Sequence, residues 1–274
     1  MKRKYMSILL VLVLLLSACG QDKKTEDKKD LTKLTLVLDY TPNTNHTGIY
    51  VAQEKGFYEE EGLELEIVQP PEDGSPALVA SGNAEFGVSY QDTIAPAYSR
   101  ENPLPVTNIA ALVQHNTSGI ISLKGNGIDR PKGMEGKKYA TWGMDVEQSI
   151  IKNVVETDGG DFSKVELIPS NFSDIITGLQ NDIDTVWIFY GWDGIAAKVK
   201  GLDFDYFAFK DINDTFDYYT PTLIGNDKFM EENPEITKAF LRATKKGYEF
   251  AIENPEEAGK ILVEANPELD EKII

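Results

Sequence analysis

The sequence predicts an α/β fold of two lobes joined by two crossover segments. Three observations support this prediction: short apolar strands alternate with helices, the alternation stops and restarts near residues 116–119, and a second break falls near residues 217–221. Strands that alternate with helices are typical of a parallel sheet covered by helices on both faces. Folds of this kind bind ligands at the carboxyl ends of their strands.

The first unit opens with a predicted strand over residues 34–38, a short apolar run with high β-propensity. A helix is predicted over residues 47–55 and ends at Gly56, a residue type favoured just after a last helical turn. Residues 63–68 alternate apolar and acidic side chains, which is typical of a strand with one solvated edge. The unit closes with a predicted helix over residues 76–80 and a predicted strand over residues 86–89.

The second unit repeats this order of elements. Its clearest element is a helix over residues 146–156, where Val and Ile recur at helical spacing. Beyond the second break, Pro234 introduces a helix over residues 235–252 and Pro255 opens another, because proline is favoured in a first helical turn. The remaining predicted elements are strands over residues 138–141, 165–168 and 185–189 and a helix over residues 174–180.

The N-terminus is typical of a secretory signal peptide. Lys2, Arg3 and Lys4 precede an apolar run over residues 8–16, which is too short to span a bilayer permanently. The tetrad Leu16-Ser17-Ala18-Cys19 then resembles the bacterial lipobox, in which the cysteine is acylated and becomes the first mature residue. A plain signal peptide with an incidental cysteine is the alternative.

These patterns predict four regions. Residues 1–18 are the signal peptide, and residues 19–31 form a lipid-anchored tether, because residues 20–30 contain nothing that buries apolar surface. The chain stops at Ile274 without a cap or a polar tail, so we expect a truncated C-terminus. The predicted lobes are residues 32–117 with 220–274 and residues 118–219.

The composition excludes several classes of function. The 45 acidic residues outnumber the 27 basic ones, and a net charge of −18 opposes binding to nucleic acid or to anionic lipid. We therefore expect a lipid on Cys19 to hold the protein to the outer face of a bacterial cell membrane. One cysteine allows neither an internal disulfide nor a thiolate-rich metal site. No Walker loop or H-E-x-x-H motif occurs, and we expect no metal and no cofactor.

Residues 39–52 (Asp-Tyr-Thr-Pro-Asn-Thr-Asn-His-Thr-Gly-Ile-Tyr-Val-Ala) resemble the start of the ThiY-like, NMT1/THI5-like family of thiamin-precursor proteins. Residues 55–58, 80–88 and 189–194 extend the resemblance over nearly the whole mature chain. The resemblance implies a type II periplasmic-binding-protein fold with two crossovers. It also implies a monomeric substrate-binding lipoprotein that serves the permease and ATPase subunits of an ABC transporter.

One branch of that family is enzymatic, and this chain departs from it. The fungal hydroxymethylpyrimidine synthases carry a cofactor-binding lysine just after the third strand and a histidine four residues later. Ser89 and Thr93 stand at those places here. Because a Schiff base to pyridoxal phosphate needs a lysine amine, we expect a binding protein and not an enzyme.

Aromatic residues near the last predicted strand of the second unit are the first candidates for a ligand site. Trp187 and Phe189 alternate on the strand and are expected in the core. Tyr190 and Trp192 lie past its carboxyl end, where they either cover the edge of the core or stack on a flat ring. Asp193 either caps a helix or accepts hydrogen bonds from the amine and a protonated ring nitrogen of an aminopyrimidine. The resemblance favours the second role, although the family residue is often Glu.

Polar and aromatic residues after the other predicted strands complete the candidate site. Asn in such loops commonly makes turns, and hydrogen bonding to ring substituents is the alternative. The candidates are Tyr40, Asn43, Asn45 and His46 after the first strand, Ser89, Tyr90 and Gln91 after the third, His115, Asn116 and Tyr218 at the breaks, and Trp142 in the second unit.

The predicted walls of the site contain no Lys or Arg, but they contain Asp39, Asp92, Asp145, Asp193 and Asp217. A fully negative ligand favours cations or helix N-termini, so these walls suit a neutral or weakly basic aromatic amine better. We expect a hydroxymethyl- or formylaminomethyl-pyrimidine. Riboflavin, taurine, another sulfonate and nitrate are the alternative ligands, and a synthase-like enzyme or a surface adhesin are the alternative functions.

Overall fold

The computed structural model describes residues 31–71, 73–170 and 175–274. The predicted signal peptide, Cys19 and residues 19–30 of the predicted tether lie outside the described residues. Within the three described ranges, no helix is both long enough and apolar enough to cross a membrane.

The strands of the described residues form two five-stranded sheets. Each strand predicted from the sequence is present within two residues of its predicted ends. The strands are β1 (Thr32–Val37), β2 (Leu63–Val68), β3 (Phe86–Ser89), β4 (Val106–Ala111), β5 (Ser118–Leu123), β6 (Lys138–Thr141), β7 (Glu166–Pro169), β8 (Thr185–Phe189), β9 (Phe204–Ala208) and β10 (Thr222–Asn226). The first sheet has the order β2-β1-β3-β10-β4 and the second the order β7-β6-β8-β5-β9. We call the part of the chain around each sheet the first and the second lobe.

Helices cover the faces of both sheets. The predicted helices are all present, except that Asp174, the first residue of one of them, lies outside the described residues. The helices are α1 (Thr47–Glu54), α2 (Phe57–Glu60), α3 (Ser75–Ala80), α4 (Gln91–Tyr98), α5 (Asp145–Thr157), α6 (Ile175–Asn181), α7 (Ile195–Val199), α8 (Phe209–Ile212), α9 (Asp227–Glu232), α10 (Pro234–Glu253) and α11 (Pro255–Ala265).

Both sheets are mixed, so the prediction of parallel sheets is wrong. In the first sheet β10 runs antiparallel to β3 and β4, and in the second sheet β5 runs antiparallel to β8 and β9. These two strands enter their sheets directly from the other lobe. A parallel neighbour needs a long return connection, usually a helix, and neither β5 nor β10 has one on its entering side.

Apolar residues of the predicted strands and helices form the cores of the two lobes. In the first lobe, Phe240 of α10 stacks on Phe86 of β3 with ring centroids 4.0 Å apart. Helix α10 also packs closely on α1, because a β-carbon at Gly247 would lie 2.0 Å from the carbonyl oxygen of Gly48. In the second lobe, the apolar face of α5 is buried against β6 and β8, as its helical spacing predicts.

Two crossover segments, residues 112–117 and 217–221, join the lobes and run side by side. The amide N–H of Asn116 donates to Asp217 Oδ1 at 3.2 Å, and its side-chain Nδ2 donates to the carbonyl of Phe216 at 2.9 Å. Backbone hydrogen bonds also join Thr220 to Val113. The predicted first break ends earlier than expected, because β5 begins at Ser118. The two-lobed architecture is confirmed, and the predicted lobe boundaries stay a prediction.

Candidate functional site

A cavity of about 570 Å³ lies between the two lobes at the carboxyl ends of β1, β3, β6, β7 and β8. A cavity of about 620 Å³ along β1 and β2 is lined by the first lobe alone. The cavity between the lobes brings together eight of the residues that the sequence predicts for a ligand site: Tyr40, Asn43, Asn45, Ser89, Tyr90, Trp142, Trp192 and Asp193.

A buried carboxylate and imidazole form the base of the first-lobe wall. His46 Nδ1 accepts a hydrogen bond from the amide of Asn43 at 3.1 Å, so Nε2 carries the proton and donates to Asp39 Oδ1 at 2.6 Å. Burial alone would raise the pKa of Asp39, but the hydrogen bonds of His46 and Tyr90 outweigh it and lower that pKa. Asp39 lines the cavity and His46 does not. The ring of His46 holds Asp39 in place, and the ligand contact predicted for His46 stays a prediction.

The side chain of Asn43 stabilises a backbone turn, which is one of the two roles that the sequence allows for asparagine in this loop. Its side-chain Oδ1 accepts from the amide of Asn45 at 3.0 Å, and its Nδ2 donates to the carbonyl of Thr41 at 3.0 Å. The loop is held from behind by the hydroxyl of Tyr248, which donates to the carbonyl of Asn45 at 2.6 Å. Asn43 thus borders the cavity while both ends of its amide shape the loop.

Asp92 is the second carboxylate of the first-lobe wall. Its Oδ2 accepts from the hydroxyl of Tyr218 at 3.1 Å, and its Oδ1 accepts from the amide of Thr93 at 3.0 Å. Burial raises the pKa of Asp92, and these hydrogen bonds offset part of the rise. Tyr218 therefore reaches the site only through Asp92 and does not line the cavity, and the ligand contact predicted for it stays a prediction.

Three other predicted contacts face the crossovers and not the cavity. Gln91 accepts a hydrogen bond from the amide of Tyr219 at 3.0 Å. His115 is exposed and pairs with Asp217 at 2.9 Å, and buried Asn116 bonds to the second crossover as described above. Gln91, His115 and Asn116 follow strands in sequence but turn toward the joint between the lobes, and the ligand contacts predicted for them stay predictions.

The second-lobe wall contains a carboxylate that the sequence analysis did not single out. Glu147 is buried and accepts from the hydroxyl of Tyr139 at 2.6 Å and the hydroxyl of Thr141 at 3.0 Å. It also accepts from the backbone amides of Trp142 at 3.0 Å and Met144 at 3.4 Å. An acid three residues after a helix start is the signal that identifies it, since this is the spacing of a capping box. Asp145, expected in the wall, is exposed in the first turn of α5.

Asp193 lies at the start of the turn that follows β8. Burial raises its pKa from 3.8 to about 6, and a hydrogen bond from the backbone of Phe189 offsets only part of that rise. Tyr40, on the opposite lobe, has its own pKa raised by burial and then by the Asp193 charge. The carboxylate and the phenol therefore face each other across the cavity.

Aromatic side chains fill much of the remaining lining, but not all of those predicted. Trp192, Trp142 and Tyr40 border the cavity. Tyr190 does not, because its ring packs against Tyr206 with the ring centroids 4.9 Å apart, and the ligand contact predicted for Tyr190 stays a prediction. Phe189 was expected in the core and instead lines the cavity, where it stacks on Tyr90 of the first lobe at 5.5 Å and an angle of 12°.

The NMT1/THI5-like family model matches residues 43–258. The chain belongs to the NMT1/THI5-like family. Among its relatives, a formylaminopyrimidine-binding protein of Halalkalibacterium halodurans is 33% identical over 93% of this chain and 77% of its own length. A 4-amino-5-hydroxymethyl-2-methylpyrimidine phosphate synthase of Legionella pneumophila is 29% identical over 87% of this chain and 75% of its own length.

Solved structures show the fold of this NMT1/THI5-like chain. The periplasmic aliphatic sulphonate-binding protein SsuA of Escherichia coli superposes with a TM-score of 0.67 at 13% identity, over 88% of this chain and 81% of that one. A Candida albicans protein with the generic periplasmic-binding-protein fold has a TM-score of 0.63 at 14% identity, over 89% of this chain and 79% of that one. The predicted type II periplasmic-binding-protein fold is confirmed.

The two places where fungal members of the NMT1/THI5-like family are expected to carry lysine and histidine both face the cavity. Ser89 and Thr93 occupy them here and line the cavity on the first-lobe side. The described lining residues include neither lysine nor arginine, so this part of the wall offers no amine to an aldehyde cofactor. Among the described residues, no group of three or more His, Cys, Asp or Glu is arranged to hold a metal ion.

Proposed function

We propose that this chain is the extracytoplasmic solute-binding component of an ABC importer. Its ligand in this proposal is a thiamin-precursor pyrimidine of the hydroxymethyl or formylaminomethyl type, held in the cavity between the lobes. The family, the fold and the name of the Halalkalibacterium halodurans relative support the transport role. A cavity shared by two jointed lobes is the usual architecture for capture and release of a small molecule.

The observation that carries the ligand class is the charge of the cavity lining. Its four charged residues within the described chain are all acids: Asp39, Asp92, Glu147 and Asp193. A sulfonate or nitrate brings a full negative charge, which such a wall repels and no lining cation balances. An amine-bearing ring is attracted to the same wall, because its N–H groups donate to the carboxylates.

Glu147 strengthens the case against an anionic ligand. Backbone amides at the start of a helix are a common anion site, because their N–H groups point toward the approaching charge. At the start of α5 the amides of Trp142 and Met144 already donate to the Glu147 carboxylate. The protein therefore supplies its own anion at the place where an external one would bind.

We assign the recognition of the ring to Asp193. It has fewer protein donors than the other cavity carboxylates, and with a pKa of about 6 it is ionised at neutral pH. One of its oxygens accepts from the exocyclic amine and the other from a protonated ring nitrogen, a paired charge-assisted contact. Trp192 and Tyr40 then hold the two faces of the ring, because Tyr190 packs elsewhere and Tyr90 already stacks on Phe189.

The acyl chain on Cys19, attachment to the outer face of the membrane and a monomeric state belong to the same proposal. They rest on the lipobox resemblance and on the acidity of the chain. Mass spectrometry of the mature protein from its membrane fraction tests the first two, since it must find a diacylglyceryl group on an N-terminal Cys19.

A panel of ligands tests the transport proposal. At 100 times its dissociation constant, a bound pyrimidine stabilises the protein by about 2.7 kcal/mol, which a thermal-unfolding assay detects readily. We expect stabilisation by aminopyrimidines and none by taurine, nitrate or riboflavin at matched ionic strength. Stabilisation by taurine or nitrate alone would overturn the ligand class, and no stabilisation by any compound would favour the adhesin alternative.

The synthase relatives make an enzyme the second candidate function. It is tested by incubating the protein with pyridoxal phosphate and looking for a pyrimidine product and for the absorbance of a Schiff base. We expect neither, because Ser89 stands where the fungal lysine is expected. Formation of a product would replace the transport proposal.

A further inference from the structure

A buried donor without an acceptor marks one point of the cavity wall. Among the described residues, three buried side-chain polar atoms have no hydrogen-bond partner: Ser118 Oγ, Trp187 Nε1 and Thr220 Oγ1. Ser118 and Thr220 lie at the two crossovers, whereas Trp187 borders the cavity. An unpaired buried donor lowers the folding free energy that is gained. Because Trp187 lies next to a ligand cavity, a bound ligand can supply the missing acceptor.

The surroundings of Trp187 are aromatic and supply no acceptor. Its side chain is 4% exposed and lies between Phe209, whose ring meets it edge-on at 4.4 Å, and Trp142 at 5.7 Å. Glu147, on the same wall, already accepts from the donors described above. Trp142 is 44% exposed, so this side of Trp187 is covered by a side chain at the protein surface.

We infer that the indole N–H of Trp187 is a second ligand contact. It donates a hydrogen bond to a neutral acceptor on the ring substituent of the pyrimidine. This inference rests on the proposed function. Trp187 and Phe189 lie on the same face of β8, and both line the cavity. Asp193 follows β8 past its carboxyl end and lines the same cavity, so a ring whose amine binds Asp193 extends its substituent back along β8 toward Trp187.

The neighbouring charge decides what kind of acceptor fits. Glu147 bonds to the amide of Trp142, which in turn contacts Trp187, so a carboxylate or phosphate on the substituent would meet a buried negative charge. A carbonyl or hydroxyl oxygen accepts the hydrogen bond without that repulsion. The class of ligand is therefore an aminopyrimidine whose substituent ends in an uncharged oxygen.

Three ligands and two variants test this inference. The ligands are 4-amino-2,5-dimethylpyrimidine, which has no acceptor on its substituent, and its hydroxymethyl and formylaminomethyl analogues. Trp187→Phe keeps an aromatic ring and removes the N–H. Tyr98→Phe is the matched control, because it removes one polar hydrogen from an aromatic side chain at an exposed position outside the cavity lining.

Calorimetric titration then gives the preference of each protein for oxygen-bearing over dimethyl ligand. We expect wild type and Tyr98→Phe to share a preference that falls by about five- to tenfold in Trp187→Phe, the usual loss for one hydrogen bond. An unchanged preference in Trp187→Phe, with all three ligands still bound, would overturn the inference and leave the proposed function standing. Failure of the wild-type protein to bind any of the three would overturn both.

Discussion

The two walls of the cavity are equally acidic, yet they treat their polar groups differently. On the first-lobe wall, Asp39 is held by His46, and Asp92 is held by Tyr218. On the second-lobe wall, Glu147 is saturated, whereas Asp193 has little protein support and the Trp187 N–H has none. Buried polar groups with partners make a rigid frame, and buried polar groups without partners are the ones that a ligand can satisfy. The first-lobe wall is therefore a rigid frame, and the second-lobe wall carries the polar groups that can bind the ligand. We call the two walls the first-lobe frame and the second-lobe reader.

The pKa values report the same division. Burial raises the pKa of both Asp39 and Asp193, because it favours the neutral acid. The hydrogen bonds of Asp39 reverse the effect and lower its pKa, whereas the pKa of Asp193 stays raised at about 6. Two aspartates in one cavity therefore differ because of their neighbours and not because of their depth.

The largest expected effect comes from removing the support of the first-lobe frame. His46→Ala removes one of the two side-chain donors of buried Asp39 and leaves only Tyr90, and loss of one partner from a buried pair costs about 3–5 kcal/mol of unfolding free energy. Urea denaturation measures the loss. The matched control is His115→Ala, which breaks an exposed His–Asp pair and should cost no more than about 1 kcal/mol. Equal losses in the two variants would mean that the first-lobe wall is not a frame.

The pH dependence of stability isolates the second-lobe reader. The folded protein keeps a proton on Asp193 between about pH 4 and 6 that the unfolded chain has released, so stability falls as pH rises through this window and is level above it. Asp193→Asn has no such titration. Relative to that variant, we expect the ligand-free wild type to lose up to about 3 kcal/mol across the window. A difference in unfolding free energy that does not change with pH would show that Asp193 is well solvated.

Ligand affinity tests whether Asp193 binds the pyrimidine ring. We expect Asp193→Asn to weaken pyrimidine binding by about 1–3 kcal/mol in calorimetric titration, because a charge-assisted hydrogen bond is lost. Asp182→Asn removes the same charge from an exposed site in the same lobe and should leave the affinity unchanged. Unaltered binding by Asp193→Asn would remove that residue from the site.

The smallest expected effect is that of ring stacking. Trp192→Leu should weaken binding by about 1 kcal/mol, since a stacked aromatic pair contributes roughly that much beyond burial. Tyr190→Leu changes a neighbouring aromatic that packs on Tyr206 outside the cavity, and its ligand affinity should match wild type. If Tyr190→Leu proved the weaker binder, the stacking partner would be misassigned.

Hydrophobic pattern predicted six of the ten described strands and missed β4, β5, β9 and β10, whether or not a helix precedes them. β5 and β10 follow crossovers, and their apolar runs carry no sign of direction. For the same reason the sequence did not show that both sheets contain antiparallel strands. Direction in a sheet depends on the path of the chain between strands, which no local pattern records.

The sequence predicted where in the fold the candidate site lies, but only partly which side chains line it. Residues just past β1, β3 and β8 do meet at one cavity, as the topology of α/β sheets requires. Sequence order did not show which of them turn away. His46 and Tyr218 lie behind carboxylates, and Tyr190 points to the core, whereas Trp187 and Phe189 face the ligand side. These outcomes depend on side-chain direction, which is set by packing between segments far apart in the chain.

The paired crossovers have a consequence for the working cycle of such a receptor. Residues 112–117 and 217–221 are bonded to each other by backbone and side-chain hydrogen bonds, so they form one paired joint. Hinges between lobes are a few residues that absorb the change in backbone angles. Because these two segments are bonded together, we expect them to bend together when the lobes move. The placement of Tyr40 relative to Asp193 then depends on both segments at once.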